Sequence, residues 1–229
     1  MPSARQEAKR FLIPLHLINA LLFVTWWFWP WMLTQLVLPW MLPQLVLGLF
    51  ILFVGAAFFV SYFFRDPERT VPADEKIIVS AADGLVVDVV EMEEPDFHLG
   101  RMRRIAVFLS VFDVHVNRSP VAGRIASTIY KPGEFLDVRH PESSTRNECR
   151  SWRIETERGA VAVRQIAGLI ARRIVAWSAE GDAVARGHRF GMIRFGSRTE
   201  VFVPLECSVL VKAGDRVAGA STPIARWPG

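Results

Sequence analysis

The chain is expected to fold as a mainly β body, a compact barrel or sandwich of short strands, behind an N-terminal hydrophobic helical hairpin. Three observations lead there. No Asp, Glu, Lys or Arg occurs from Phe11 to Phe64, whereas the composition after Arg65 is that of a soluble domain. Short runs with strand alternation recur through that second part, separated by turns containing Gly and Pro. A small residue and a turn precede a strand at Ala82-Asp83-Gly84, Val121-Ala122-Gly123 and Ala213-Gly214-Asp215, a spacing that suits closure of short strands.

Residues 1–10 are polar, with Arg5, Lys9 and Arg10 ahead of the apolar run. A signal peptide begins this way, but this apolar stretch is too long and no small-residue cleavage site follows it. Two membrane segments are expected, about Phe11 to Leu33 and Leu45 to Phe64. The second matches the roughly 20 residues that span a bilayer. Trp26, Trp27, Trp29 and Trp31 crowd the first segment like an interfacial belt. Pro14 and Pro30 interrupt it, which keeps an interfacial or re-entrant hairpin open beside a spanning one. Pro39 and Pro43 mark the turn between the segments. Arg10 and Arg65 flank the outer ends and no charge lies between. The positive-inside rule then places both ends at the cytoplasmic face of the cell membrane. The division expected is an anchor at 1–64 and a β domain at 65–229.

Pro67 and Pro72 keep the linker out of the membrane part extended. Ile77 to Ala82 reads as a strand, and Asp83-Gly84 as a hairpin-type turn into Leu85–Val90. Arg104 to Val116 reads as one strand. Ser119 to Gly123 turns the chain into Arg124–Tyr130, which Lys131-Pro132-Gly133 ends. Trp152–Glu155 and Val161–Gln165 are further strands. Ile166, Ile170, Ile174 and Trp177 have helical spacing in a β-rich stretch, so helix and strand compete there. Ser197 to Pro204 is a strand entered through Gly196. The last unit, Ser208 to Gly219, resembles half of a lipoyl- or biotinyl-type domain. The acceptor Lys of such a domain belongs at the hairpin tip, and Lys212 lies before the turn.

Formal net charge is +4, and Lys occurs only at 9, 76, 131 and 212, so the positive charge is nearly all Arg. Genomic base composition explains that as well as function does. Arg101-Met102-Arg103-Arg104 and Arg172-Arg173 are candidates for contact with anionic headgroups, where basic residues gain about 1 kcal/mol each. Zinc-ligand spacing is missing and the aromatics concentrate in the membrane part, so neither a metal nor nucleic acid is expected. Cys149 and Cys207 imply no disulfide framework and suit a cytosolic face.

The chemistry-bearing positions are few. Gly196-Ser197 puts a hydroxyl beside the preceding carbonyl, as an internal acyl shift needs, although Gly-Ser is also a common turn. Taken alone, Asp83 fits first a turn residue chosen for left-handed geometry; the other reading is a carboxylate that orients a histidine. In Val111 to Asn117, strand alternation places Val111, Asp113, His115 and Asn117 on one face. That face either lines a cavity or is a solvated edge. An Asp, a His and a Ser on separate strand ends match nucleophilic logic, with the His taking the Ser proton. His16, His98, His140 and His188 lie in less suggestive places.

From Phe64 to about Ala225 the sequence resembles the phosphatidylserine decarboxylases of the short bacterial and archaeal type. The resemblance is carried by Phe64-Arg65-Asp66-Pro67, Ala82-Asp83-Gly84, Phe112-Asp113-Val114-His115-Val116-Asn117-Arg118-Ser119-Pro120 with Gly123, Lys131-Pro132-Gly133, Asn147-Glu148 and Phe195-Gly196-Ser197. It implies a pyruvoyl-dependent lyase made as a zymogen that cuts its own chain at Gly-Ser. Here the cut falls between Gly196 and Ser197, leaving a β chain of residues 1–196 and an α chain of 197–229 capped by a pyruvoyl group formed from Ser197. It implies His115 as base, oriented by Asp83, and conversion of phosphatidylserine in the bilayer to phosphatidylethanolamine. A homodimer is implied too, and ether lipids with isoprenoid chains would suit the same machinery. The longer bacterial enzymes have Leu-Gly-Ser-Thr where this chain has Phe195-Gly196-Ser197-Arg198, and a second His where it has Arg118. That concentrates the burden on His115 and makes Asp113 a candidate second acid. The alternative is a non-enzymatic membrane-anchored adaptor with a lipoyl-like β domain, which would have no need of Asp83, His115 and Gly196-Ser197 together.

Overall fold

The computed structural model describes residues 3–32, 41–138, 140, 142–169, 173–194 and 197–229. The chain divides into two units, Met1–Arg65 and Asp66–Gly229.

The first unit is a pair of helices, α1 (Ala4–Met32) and α2 (Met41–Phe63). Phe11 stacks on Phe64 at 5.6 Å between ring centroids, and Phe23 meets Phe50 at 6.2 Å, so the helices run antiparallel. Both are long and apolar enough to cross a bilayer. Leu17, Leu21, Leu52 and Phe58 point outward, an apolar surface of the kind that lipid covers. The expected interruptions do not occur: α1 runs through Pro14 and Pro30. In a long apolar helix the backbone has no better partners elsewhere, so the loss of one bond at each Pro is tolerated. Pro43 falls in the first turn of α2, where the missing N–H needs no partner. Leu33 and Pro39 lie outside the described residues.

The second unit is built from short strands. They are β1 (Ile77–Val79), β2 (Gly84–Glu93), β3 (Arg101–Leu109), β4 (Val116–Arg118), β5 (Gly123–Lys131), β6 (Cys149–Thr156), β7 (Gly159–Ala167), β8 (Ile174–Ala176), β9 (Ala183–Val184), β10 (Arg189–Ile193), β11 (Ser197–Pro204), β12 (Ser208–Val209), β13 (Arg216–Val217) and β14 (Pro223–Arg226), with one helical turn, α3 (Ser143–Arg146). Eight of them form an antiparallel sheet in the order β13-β2-β3-β11-β7-β6-β5-β9, curled into a half-barrel. Two three-stranded sheets, β1-β14-β12 and β4-β10-β8, complete the body. Alternation sends Ile105, Val107 and Leu109 of β3, Val161 and Val163 of β7, and Val201 and Val203 of β11 to one face. There they form a single core with Ile78, Phe190 and Ile224 of the smaller sheets. Trp152 and Phe190 meet at its centre, 5.1 Å apart.

Two sequence expectations are corrected, and one left open is decided. The strand read from Arg104 to Val116 is two strands in different sheets. It breaks because the Asp113 carboxylate accepts from the Ser110 N–H at 2.9 Å and the Ser110 hydroxyl at 2.8 Å, a local turn that outcompetes the ladder. The face argument for Val111 to Asn117 goes with it, since Val114 through Val121 are all buried. Asp83-Gly84 is a corner between sheets and not a hairpin, because β1 pairs with β14 while β2 pairs with β3. Gly84 is required there: its φ is +148°, and a Cβ would lie 2.0 Å from the Phe108 carbonyl oxygen. Around Ile166 to Trp177, strand pairing wins over helical spacing, with β7 reaching Ala167 and β8 starting at Ile174. Residues 170–172 lie outside the described residues. The short strand β14, opened by Pro223, was not anticipated.

Candidate active site

Ser197 is the first residue of β11, the strand between β3 and β7, and pairs with Leu109 on one side and Ala167 on the other. It is fully buried. Its hydroxyl has no hydrogen-bond partner among the described residues. Leaving a buried hydroxyl unpaired costs about 1–3 kcal/mol, so native chains seldom do it without a use for the group. Phe195 and Gly196, the other side of the expected cut, lie outside the described residues.

Thr199, two residues on along the same face, ends a buried polar chain. The Trp152 indole N–H donates to Gln165 Oε1 at 2.8 Å, and Gln165 Nε2 donates to Asn117 Oδ1 at 2.7 Å. Asn117 Nδ2 in turn donates to Thr199 Oγ1 at 3.2 Å. Gln165 lies opposite Thr199 in the β7–β11 register. The chain pins β4 against the Ser197 end of β11. His115, just before β4, is fully buried, and its carbonyl accepts from the Ile193 N–H at 3.3 Å. The ring Nδ1 lies 2.9 Å from the Asp113 carbonyl oxygen. A carbonyl can only accept, so the neutral ring carries its proton on Nδ1 and keeps the Nε2 lone pair as the basic site.

The carboxylates sit at the sheet corner beside this segment, where the Ala81 carbonyl accepts from the Arg118 N–H at 2.9 Å. Asp83 accepts from Arg69 Nη2 at 2.5 Å and from the Gly219 N–H at 2.8 Å. Burial pushes its carboxyl above the ordinary 3.8, against the pull of the Gly219 N–H and of Arg69, and the nearby charge of Asp113 adds to the rise. Asp113 itself closes the Ser110 turn and takes Arg216 Nη1 at 3.0 Å. One short segment, Arg216 to Gly219, therefore holds both carboxylates. Asp83, Asp113 and the His115 segment come together, and the His115 Nδ1 lies against the Asp113 backbone carbonyl.

Several other residues were not foreseen. Arg118 is buried and committed to Asp66 at 2.5 Å and to the Pro67 carbonyl at 3.0 Å. It ties the linker to β4. Asn147 staples the segment before β6 to β7, donating to the Leu136 and Ala167 carbonyls at 2.8 Å each. Gly133 is needed in that segment because a Cβ would lie 2.4 Å from the Arg146 carbonyl oxygen. On the outer face of β11, Arg198 bonds Glu200 at 2.9 Å and Asp88 at 3.2 Å, and Arg104 bonds Asp88 at 3.0 Å and Glu200 at 3.4 Å. Arg103 pairs with Glu91 at 2.7 Å. Arg103 and Arg104 are thus engaged in ion pairs along the sheet, while Arg101 stays exposed. Of the 172–173 pair, Arg173 is exposed and Arg172 lies outside the described residues.

A hydroxyl buried on a central strand, with an imidazole and two carboxylates toward its end of the sheet, suits an enzyme on a β body that also carries an apolar helix pair. A sequence profile of the phosphatidylserine decarboxylase family matches residues 56–225. Three curated relatives, each named phosphatidylserine decarboxylase proenzyme, align over most of the chain. That of Symbiobacterium thermophilum is 46% identical over 201 residues, covering 87% of this chain and 94% of its own. That of Geobacter metallireducens is 45% identical over 79% of this chain and 83% of its own, and that of Geotalea daltonii 45% over 74% and 82%. The chain belongs to the phosphatidylserine decarboxylase family.

Proposed function

We propose that the chain is a proenzyme that cuts itself between Gly196 and Ser197, and that the product decarboxylates phosphatidylserine to phosphatidylethanolamine and carbon dioxide at the cytoplasmic face of the cell membrane. The observation that carries this reading is the Ser197 hydroxyl, buried and without a partner among the described residues at the start of the central strand. It stands at the sequence position where the family cuts.

His115 Nε2 takes the hydroxyl proton, and Oγ attacks the Gly196 carbonyl carbon. The peptide C–N bond breaks as the ester C–O bond forms, so Gly196 moves from nitrogen to oxygen. Loss of the Ser197 α-proton then expels Gly196 as a carboxylate and leaves a dehydroalanine. Water converts that residue to a pyruvoyl group and releases ammonia. The neighbours suit such a cap: Leu109 and Ala167 flank Ser197, and no charged side chain faces it on β3 or β7 in register. When present, the group supplies an electron sink for the pair left behind as carbon dioxide departs. The chain's own residues do the rest. His115 moves protons, Asp113 serves as a second acid, and Asp83 provides the negative charge that favours the imidazolium. The two apolar helices hold the body at the bilayer, and the assembly is a homodimer.

Intact-mass spectrometry of the purified protein tests the proposal. A C-terminal fragment beginning at residue 197 and lighter by one ammonia than a serine-started peptide is expected. Ser197→Ala should give a single uncut chain of 25.9 kDa that releases no carbon dioxide. An active Ser197→Ala protein would sink the mechanism.

A further inference from the structure

The Ser197 end of the half-barrel differs from the opposite end in polarity. Leu109 and Ala167, which flank Ser197, are the last residues of β3 and β7. The chain leaves the sheet just beyond each. On one side the Ser110–Asp113 turn presents Phe112, and on the other Leu169 follows Ala167 by two residues. Both are 63% exposed, more than any other large apolar side chain described in the body. The same end carries cations. Arg173 is exposed, and its carbonyl accepts from the N–H of Arg194, three residues before Ser197. Arg216 is 69% exposed and reaches Asp113; the carboxylates at this end, Asp83, Asp113 and Glu148, are half-buried or buried, whereas Glu75, Glu155 and Glu157 are exposed. At the other end of β7, the Thr156–Gly159 hairpin borders an open cleft of about 700 Å³ lined by Glu75, Glu155, Glu157, Arg158, Arg186 and Trp227. Three carboxylates there, with Arg186 already bonded to the Asp74, Ile77 and Pro72 carbonyls, suit an anionic surface poorly.

We propose that the Ser197 end of the half-barrel is the surface that meets the bilayer. Phe112 and Leu169 enter the headgroup–acyl boundary, and Arg173 and Arg216 meet lipid phosphates. The partner is an anionic lipid bilayer, whose phosphates complement the cations while its chains take up the exposed apolar side chains. This deepens the decarboxylase reading and rests on it for its purpose: the lipid's headgroup reaches Ser197 while its acyl chains stay in the membrane.

The test needs no catalysis. Full-length protein carrying Phe112→Cys, Leu169→Cys or Glu157→Cys is labelled with a polarity-sensitive dye, the native Cys149 and Cys207 being buried. Position 157 is the control, in the hairpin at the far end of β7, a strand roughly 25–30 Å long at about 3.3 Å per residue. The proteins are reconstituted into phosphatidylcholine vesicles with increasing phosphatidylglycerol, with and without bromine on the acyl chains. Blue-shifted emission at 112 and 169, quenched several-fold more by bromine than at 157 and strengthened by phosphatidylglycerol, is expected. Equal behaviour at all three positions overturns the proposal. So does a blue shift that bromine leaves untouched and that grows with protein concentration, since a second copy of the chain would then cover this end. Repeating the readout in Ser197→Ala separates the two ideas. That variant is expected to stay uncut with lipid contact intact; an uncut wild-type chain that still contacts lipid would indict only the chemistry, and cutting without lipid contact only the surface.

Discussion

Ser197 is buried and Asp83 half-buried, and each makes a prediction of opposite character. The Ser197 hydroxyl has no partner among the described residues, so removing it should relieve the fold. In an uncut His115→Ala background, adding Ser197→Ala is expected to raise stability by about 1 kcal/mol, or a Tm gain of about 2–4 °C. Calorimetry reads this, and a Tm loss would mean that the hydroxyl is paired after all. His115→Ala alone should leave the chain uncut or inactive, and full activity would remove His115 from the mechanism. Asp83 has its carboxyl raised by burial despite the Gly219 N–H and Arg69. The sign for stability follows. Below 3.8 the group is protonated in both folded and unfolded chains and has no effect. As pH rises from there through the higher folded value, the unfolded chain loses its proton first and stability falls. Self-cutting should show the mirror image, increasing as Asp83 ionises. Arg69→Met removes a cation that lowers the value, so the acid limb of the rate–pH profile should move to higher pH. A limb that stays put or moves down would detach the Arg69–Asp83 pair from the reaction.

At the scale of elements, β11 is held differently on its two faces. Its inner face carries Ser197, Thr199, Val201 and Val203, while its outer face buries Arg198 and Glu200 in an ion network with Asp88 of β2 and Arg104 of β3. Glu200 is 1% exposed and also accepts from Ser144 at 3.2 Å. Glu200→Ala would leave two buried guanidinium groups short of a partner, at a cost of about 3–5 kcal/mol. A Tm drop on the order of 10 °C is expected from thermal unfolding of the uncut chain, and a drop of only 1–2 °C would show the network to be replaceable by water. Little of this network is visible in the sequence, because its members lie up to 110 residues apart. What alternation and turn chemistry reveal is local: the apolar side of β11, the stops at Lys131-Pro132-Gly133, and the apolar helix pair. Alternation failed between Arg104 and Val116, because a Ser and an Asp three residues apart can close a turn inside an apolar run. Asp83, His115 and Ser197 could be named because their neighbours match a family. That Arg216 and Gly219 hold the carboxylates could not be read, since they lie 103 and 136 residues away from them.

For the whole molecule, the proposed position of the cut constrains the order of events. Residues 197–229 supply β11 to the middle of the large sheet, β13 to its edge, and β12 and β14 to a sheet that also needs β1. β11 alone pairs with β3 from Ser197 to Pro204 and with β7 from Ser197 to Phe202. A fragment so deeply interleaved should not leave after the cut, so both fragments are expected to co-elute in native gel filtration and to separate only in denaturant. The same interleaving argues that folding precedes chemistry. Ser197 gains its buried environment only when β3 and β7 flank it, and His115 reaches that end only when Asn117 has bonded Thr199. Precursor refolded from urea should therefore regain its β-sheet circular dichroism before any fragment appears, and the yield of cut chain across a urea series should follow the folded fraction. Glu200→Ala, weakened but chemically intact, should show the same dependence at lower urea. Fragments that appear while the chain is still unfolded would place the reactivity in the Gly196-Ser197 dipeptide itself. The architecture around it would then serve only the later reaction.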